Sequence, residues 1–154
     1  MYHWLLFFHL LGAFALVAGA AVAGTLQLTA LRRERPSEIL VLLRATRVGV
    51  VLVSAGALLA LGFGLGLASH LGYGFSPSWI QASIGLWIAA VVAGAAGGRT
   101  ARQARHLAER LAASGDDVSE ELRALVAHRP SLWLSYLSSI LIGAIIVLMV
   151  WRPT

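Results

Sequence analysis

With 154 residues, 58% of them hydrophobic and 12% charged, and a mean hydropathy of +0.79, the chain carries more apolar surface than a water-soluble domain of this size can hide. It contains no cysteine, which excludes disulfides, thiolate metal sites and cysteine nucleophiles. All 12 basic residues behind the net charge of +5 are arginines, and they stand beside apolar runs, where a topological role explains them without nucleic acid as a partner.

The first run, Tyr2 to Leu28, is long enough at ~1.5 Å per residue to cross ~30 Å of hydrocarbon as a helix. His9 lies inside it, about 8 Å along the axis from Trp4. Helical spacing from His9 gives Gly12, Ala13, Leu16, Gly19, Ala20, Ala23 and Gln27, a face of small residues where another helix backbone comes close. His9 is therefore predicted to point into a bundle. Ala18-Gly19-Ala20 resembles a signal-peptidase site, but no basic residue precedes the run and its length exceeds a signal core, so it reads as a retained span.

Leu31-Arg32-Arg33-Glu34-Arg35-Pro36 ends this span with charge and a proline. Pro36 opens the next helix, with Glu38 in its first turn. The second span is predicted from Val48 to Ser69. Gly56, Ala60, Gly64 and Ala68, and again Gly62 and Gly66, form small-xxx-small repeats, and His70 closes the helix. An uncharged turn, Leu71 to Ser78, leads to a third span from Trp79 through Gln81, Gly85, Ala93 and Gly97. The same helix continues past Arg99 to a break at Ser114-Gly115. Asp117 then reads as the N-cap of a short helix ending near His128, and Arg129-Pro130 introduces the fourth span, Ser131 to Trp151. Ser131, Ser135, Ser139 and Gly143 form its packing stripe.

These elements predict an all-α polytopic membrane protein: one domain, residues 1–154, of four antiparallel transmembrane helices with a short cytoplasmic helical hairpin between the third and fourth. The first and third connections hold eleven of the 12 arginines and the second holds none, which places the two basic connections in the cytoplasm and both termini outside. Only Arg152 dissents. Tyr2, Trp4, Tyr73, Trp79 and Trp151 then gather as an aromatic belt at the outer boundary.

The same topology puts His3, His9 and His70 on the outer side, with Gln81 at the matching end of the third span. Imidazole is a common ligand for haem iron, copper and zinc, and ionisable residues inside spans are candidate functional groups by default. His9 and His70 are accordingly the candidate cofactor ligands, with His3 a further candidate metal ligand, for an outward-facing haem b or copper site. Their depths differ, so coaxial ligation requires a bent or displaced second helix. The competing reading has His9 hydrogen-bond a backbone carbonyl or a serine across the bundle, with His3 and His70 as ordinary interfacial residues. His106 and His128 read as solvated members of the charged hairpin.

No acidic residue falls inside a span, as a proton-coupled exporter would require, and no phosphate loop, metalloprotease pair or serine triad is present. An enzyme is not indicated. The opening His9 to Ala13 (His-Leu-Leu-Gly-Ala), the arginine-rich first connection, the acidic-basic hairpin and the ending Val147 to Pro153 together resemble an uncharacterised family of predicted four-span bacterial integral membrane proteins. The first span is more distantly similar to those of CopD-type copper-resistance proteins and HemJ-type protoporphyrinogen oxidases. The latter resemblance implies a haem ligand at His9, while the absence of lysine removes the HemJ family's second essential residue. The expected roles are thus a haem- or copper-binding protein of the bacterial plasma membrane that passes electrons or metal, an accessory or assembly subunit of a larger membrane complex, or a small oligomeric transporter. Its partners would be the lipid bilayer and a second copy or another membrane subunit.

Overall fold

The computed structural model describes residues 1–73 and 76–151. It contains α1 (Tyr2–Ala30), α2 (Pro36–His70), α3 (Ser78–Ala113), α4 (Glu120–Val126) and α5 (Arg129–Trp151), with no strand among the described residues. Helices α1, α2, α3 and the unit containing α5 are each long and apolar enough to cross a membrane. The all-α four-span architecture expected from the hydropathy is the one observed. Gly74 and Phe75 of the predicted turn and Arg152, the dissenting arginine, lie outside the described residues.

The bundle is assembled from two antiparallel hairpins. In the first, α1 and α2 pack along most of their length. A Cβ built on Gly12 would stand 2.5 Å from the Ala60 backbone nitrogen, and one on Gly56 would stand 2.6 Å from the Gly12 carbonyl oxygen. The contact repeats two turns away, where a Cβ on Gly19 would meet the Gly49 oxygen at 2.6 Å. Both helices thus place glycine at a seven-residue interval, the period at which a straight seam persists between two supercoiled helices. Backbone lies directly on backbone, so dispersion acts over the shortest separation the chain allows.

The second hairpin, α3 with α5, uses hydroxyls. Ser131 Oγ donates to the Gly97 carbonyl at 2.6 Å and Ser138 Oγ to the Ala90 carbonyl at 2.8 Å, while Ser135 sits over Gly97. The predicted stripe needs correction at its far end: Ser138, not Ser139, faces α3. Steps of four residues advance a helix by ~400°, so a 131-135-139-143 series drifts ~40° per step off the contact face. Ser139 instead bonds back to the Ser135 carbonyl at 3.2 Å. Helices α2 and α3 join the hairpins, whereas α1 and α5 barely touch.

At 35 and 36 residues, α2 and α3 are over 50 Å long, roughly 20 Å more than the ~30 Å hydrocarbon core. The surplus lies at the arginine-rich end, where Ile39, Leu40 and Leu43 of α2, Ala104 and Leu107 of α3, and Leu122 and Val126 of α4 form a buried core with Ala30. The predicted hairpin is therefore folded down onto the base of the bundle. Ser119, two residues beyond the predicted Asp117, caps α4 by accepting from the Leu122 N–H at 3.3 Å. Arg44 reaches Glu109 at 3.3 Å across α2 and α3.

Asp116 fastens this end. It adopts a left-handed φ of 60°, after Gly115 at 133°, and turns its carboxylate onto the first turn of α2. There Oδ1 accepts the Ser37 N–H at 2.7 Å and Oδ2 the Ser37 hydroxyl at 2.6 Å. Residue 116 thereby supplies the cap that Arg35, the local N-cap, does not. The Ser37 hydroxyl, then the Ser37 N–H, and to a smaller degree the charge of Arg35 hold the Asp116 carboxyl below its ordinary value against a small opposing desolvation.

Two predictions follow from these contacts. Gly56→Ala forces α1 and α2 apart and is expected to cost about 1–3 kcal/mol. By contrast, Gly62→Ala, with nothing within 4 Å of the added carbon, leaves stability unchanged or slightly raised. Thermal unfolding followed by circular dichroism in one detergent distinguishes them, and equal midpoints would refute the close approach. For Asp116, a depressed folded pKa means that the stabilisation is fully present above the unfolded value of about 3.9 and is lost as pH falls through the folded value. Asp116→Asn, which tolerates the left-handed backbone, should lower stability near neutrality and shallow the acid limb of the stability–pH curve. An acid limb identical to that of the parent would remove the carboxylate from this role.

Candidate functional site

One turn outward from the Gly12–Gly56 contact, the α1 side chain that meets α2 is His9. A Cβ on Gly64 would lie 2.9 Å from both Cε1 and Nδ1 of the imidazole, so glycine at 64 is what admits the ring. Through that gap Nδ1 donates to the Ala60 carbonyl at 2.8 Å. A carbonyl only accepts, so Nδ1 carries the proton, and in the neutral ring the lone pair is left on Nε2. Backbone carbonyls fix the tautomer of metal-ligating histidines in this way. The same bond also clamps two helices, an intramembrane contact typically worth about 0.6 kcal/mol.

His3 and His70 lie at a different level. The Tyr2 ring meets the His3 ring edge-on at a centroid distance of 5.5 Å and stacks on His70 at 6.5 Å, with an interplanar angle of 29°. The structure thus gathers His3 and His70 on either side of Tyr2 and holds His9 deeper. Gly64, the seat of the His9 ring, precedes His70 by six residues, roughly 9 Å along α2. Two imidazoles sharing one metal must each bring a nitrogen to within about 2 Å of it. Helix α2 runs unbroken from Pro36 to His70, so the seat of the His9 ring and His70 stand on different turns of one helix. Among the described residues, no group of three or more His, Cys, Asp or Glu could hold a metal ion.

A second polar group at this depth escaped the sequence reading. Trp87 Nε1 is buried and, among the described residues, has no hydrogen-bond partner. Trp87 is nine residues into α3 and Ala60 ten residues from the end of α2, so both sit about 14–15 Å from the end of the bundle that carries Tyr2 and His70. Its position one turn from buried Ser83 and Ala90 was the available signal. His106 is exposed and pairs with Glu109 at 3.6 Å, while His128 is more than solvated: its Nδ1 accepts the Ser131 N–H at 3.4 Å at the start of α5. Tyr73 and Trp79 meet edge-on at 5.8 Å across the turn of the predicted aromatic belt, and Trp4 and Trp151 are exposed.

Four helices long and apolar enough to cross a membrane, with one histidine seated between the first two, define a polytopic helical integral membrane protein. Within that class the chain belongs to the DUF2269 family of predicted integral membrane proteins, whose family model matches residues 3–153. No curated protein and no solved structure matches it significantly.

Proposed function

We propose that this protein binds a haem b or copper ion through His9, the cofactor serving electron or metal transfer. The observation that carries the reading is the seat of His9: Gly64 admits the ring, the Ala60 carbonyl accepts the Nδ1–H, and in the neutral ring the lone pair is left on Nε2. His9 is the sole protein ligand in this proposal, with His3, Tyr2 and His70 forming the rim. The distant CopD-type and HemJ-type resemblance of the first span points the same way.

An ultraviolet–visible spectrum of the protein purified gently from haem-replete cells, oxidised and dithionite-reduced, with metal analysis of the same sample, tests this. A Soret band or stoichiometric copper that is lost in His9→Ala and kept in His70→Ala is expected. A colourless, metal-free protein overturns the proposal and favours the accessory-subunit reading.

The proposal carries an orientation. The basic end faces the cytoplasm of a bacterial inner membrane, and Tyr2, His3, His70 and both termini face outward. The chain has no cysteine, so single cysteines can be introduced one at a time. Ser69→Cys should react with an impermeant maleimide added outside intact cells and Ser114→Cys should not. The reverse pattern would invert the topology.

A further inference from the structure

Two cavities adjoin successive turns at the end of α1, the first on the side where α1 and α5 fail to close. One is a groove of about 440 Å³ within the span, running between Ala20, Gly24 and Leu28 of α1 and Tyr136, Ser139 and Gly143 of α5. The other, of about 300 Å³, lies beyond the end of α1, against α4, and is lined by Leu31, Arg33, Arg123 and Ala127 among others. Leu28 and Leu31 are one turn apart on the same face of α1, so the second cavity begins about 5 Å beyond the first.

We propose that this seam is a binding site for an anionic phospholipid, with an acyl chain in the α1/α5 groove and the phosphate between Arg33 and Arg123. The groove has the chemistry of a hydrocarbon host. The Thr25 hydroxyl is spent on the Ala21 carbonyl of its own helix and the Ser139 hydroxyl on Ser135, and no side chain or backbone atom fills the space beside Gly24 or Gly143. The second cavity has the opposite character. The helix-end carbonyls that would repel an anion are already engaged, Ala30 by the Arg33 N–H at 3.1 Å and Arg123 by the Ala127 N–H at 2.9 Å. What remains is two guanidinium groups. Arg33 has only a long contact with Glu38, at 3.7 Å and half exposed, and Arg123 makes no ion pair among the described residues. Planar guanidinium forks suit phosphate oxygens, and basic pockets between spans at the membrane boundary are the setting in which anionic headgroups are held. Charge, apolar groove and boundary depth coincide only for a molecule with an anionic head and a hydrocarbon tail, which distinguishes a lipid from free phosphate or a partner helix.

The test uses the full-length protein reconstituted in nanodiscs of phosphatidylglycerol and phosphatidylcholine, with protein-retained phospholipid quantified by mass spectrometry after transfer to mild detergent. Retention of phosphatidylglycerol over phosphatidylcholine is expected, falling roughly tenfold or more in the Arg33→Gln, Arg123→Gln double variant at about 1 kcal/mol per arginine. The charge-matched control Arg102→Gln, Arg110→Gln should leave retention unchanged. Gly24→Leu, which fills the groove but spares the arginines, should also release the lipid. Inorganic phosphate added to the detergent sample should not displace it if the tail is held. Retained lipid of bulk composition, or equal loss in both double variants, would overturn the site in favour of a diffuse basic surface. A Gly24→Leu protein that keeps its phosphatidylglycerol but changes oligomeric state would make the seam an interface between copies instead. Circular dichroism and gel filtration of each variant, together with the wild-type lipid preference, keep the result independent of any one variant's folding.

Discussion

The approach of α1 to α2, backbone on backbone at Gly12–Gly56 and Gly19–Gly49, is the constraint on which the rest of the molecule depends. In a membrane the lipid tails are as apolar as leucine, so burying apolar side chains between helices gains little, and association rests on close packing and on hydrogen bonds. A Cβ at any of these four positions would fall within 3 Å of the opposing helix, and the seam exists because none is present. With that distance set, the neighbouring turn of α2 lies close enough for the His9 imidazole to reach the Ala60 carbonyl, provided residue 64 is glycine too.

The two ends of the bundle are held by different physics. At the end carrying His3 and His70, rings pack on rings: Tyr2 on His70, and Phe8 on Phe63 at 4.9 Å. At the arginine-rich end a water-facing core of aliphatic side chains forms beneath α4, and there the ordinary hydrophobic effect returns. The Asp116 carboxylate closes that core by capping α2 from a loop 79 residues away, tying the α3–α4 connection to the start of the second span. The middle of the bundle, by contrast, is closed on three sides and open along α1 and α5. A closed bundle would need a further small-residue seam there, and the pairing of Ser131 and Ser138 with α3 turns α5 so that Ser139 and Gly143 face the gap.

The candidate site shows how one structural choice separates residues that topology had grouped. His3, His9 and His70 lie toward one end of the bundle, yet α2 stays helical through residue 64 to His70, so the level of His9 and the level of His70 stay distinct. Trp87 enters the picture for the reverse reason. Its helical spacing from Ser83 and Ala90 points it toward the packed face, but only the packing of α3 against its neighbours buries the indole N–H without giving it a partner among the described residues.

Hydropathy and arginine placement were sufficient to determine four spans, their boundaries to within a few residues, and the clustering of eleven arginines at one end. Each follows from a local quantity, the transfer of a residue between water and hydrocarbon, which needs no knowledge of neighbours. The inward face of His9 was legible for a similar reason, since helical spacing alone lines it up with Gly12, Leu16 and Gly19. What only the tertiary structure decided were the pairwise relations: which glycines meet, that Ala60 is the acceptor for His9, that Ser138 replaces Ser139, that Ser119 caps α4 while Asp116 caps α2, and that α1 and α5 stay apart. Those depend on the rotation and axial offset of one helix against another. A phase error of 40° per step is invisible in a short sequence stripe and decisive once two helices are in contact.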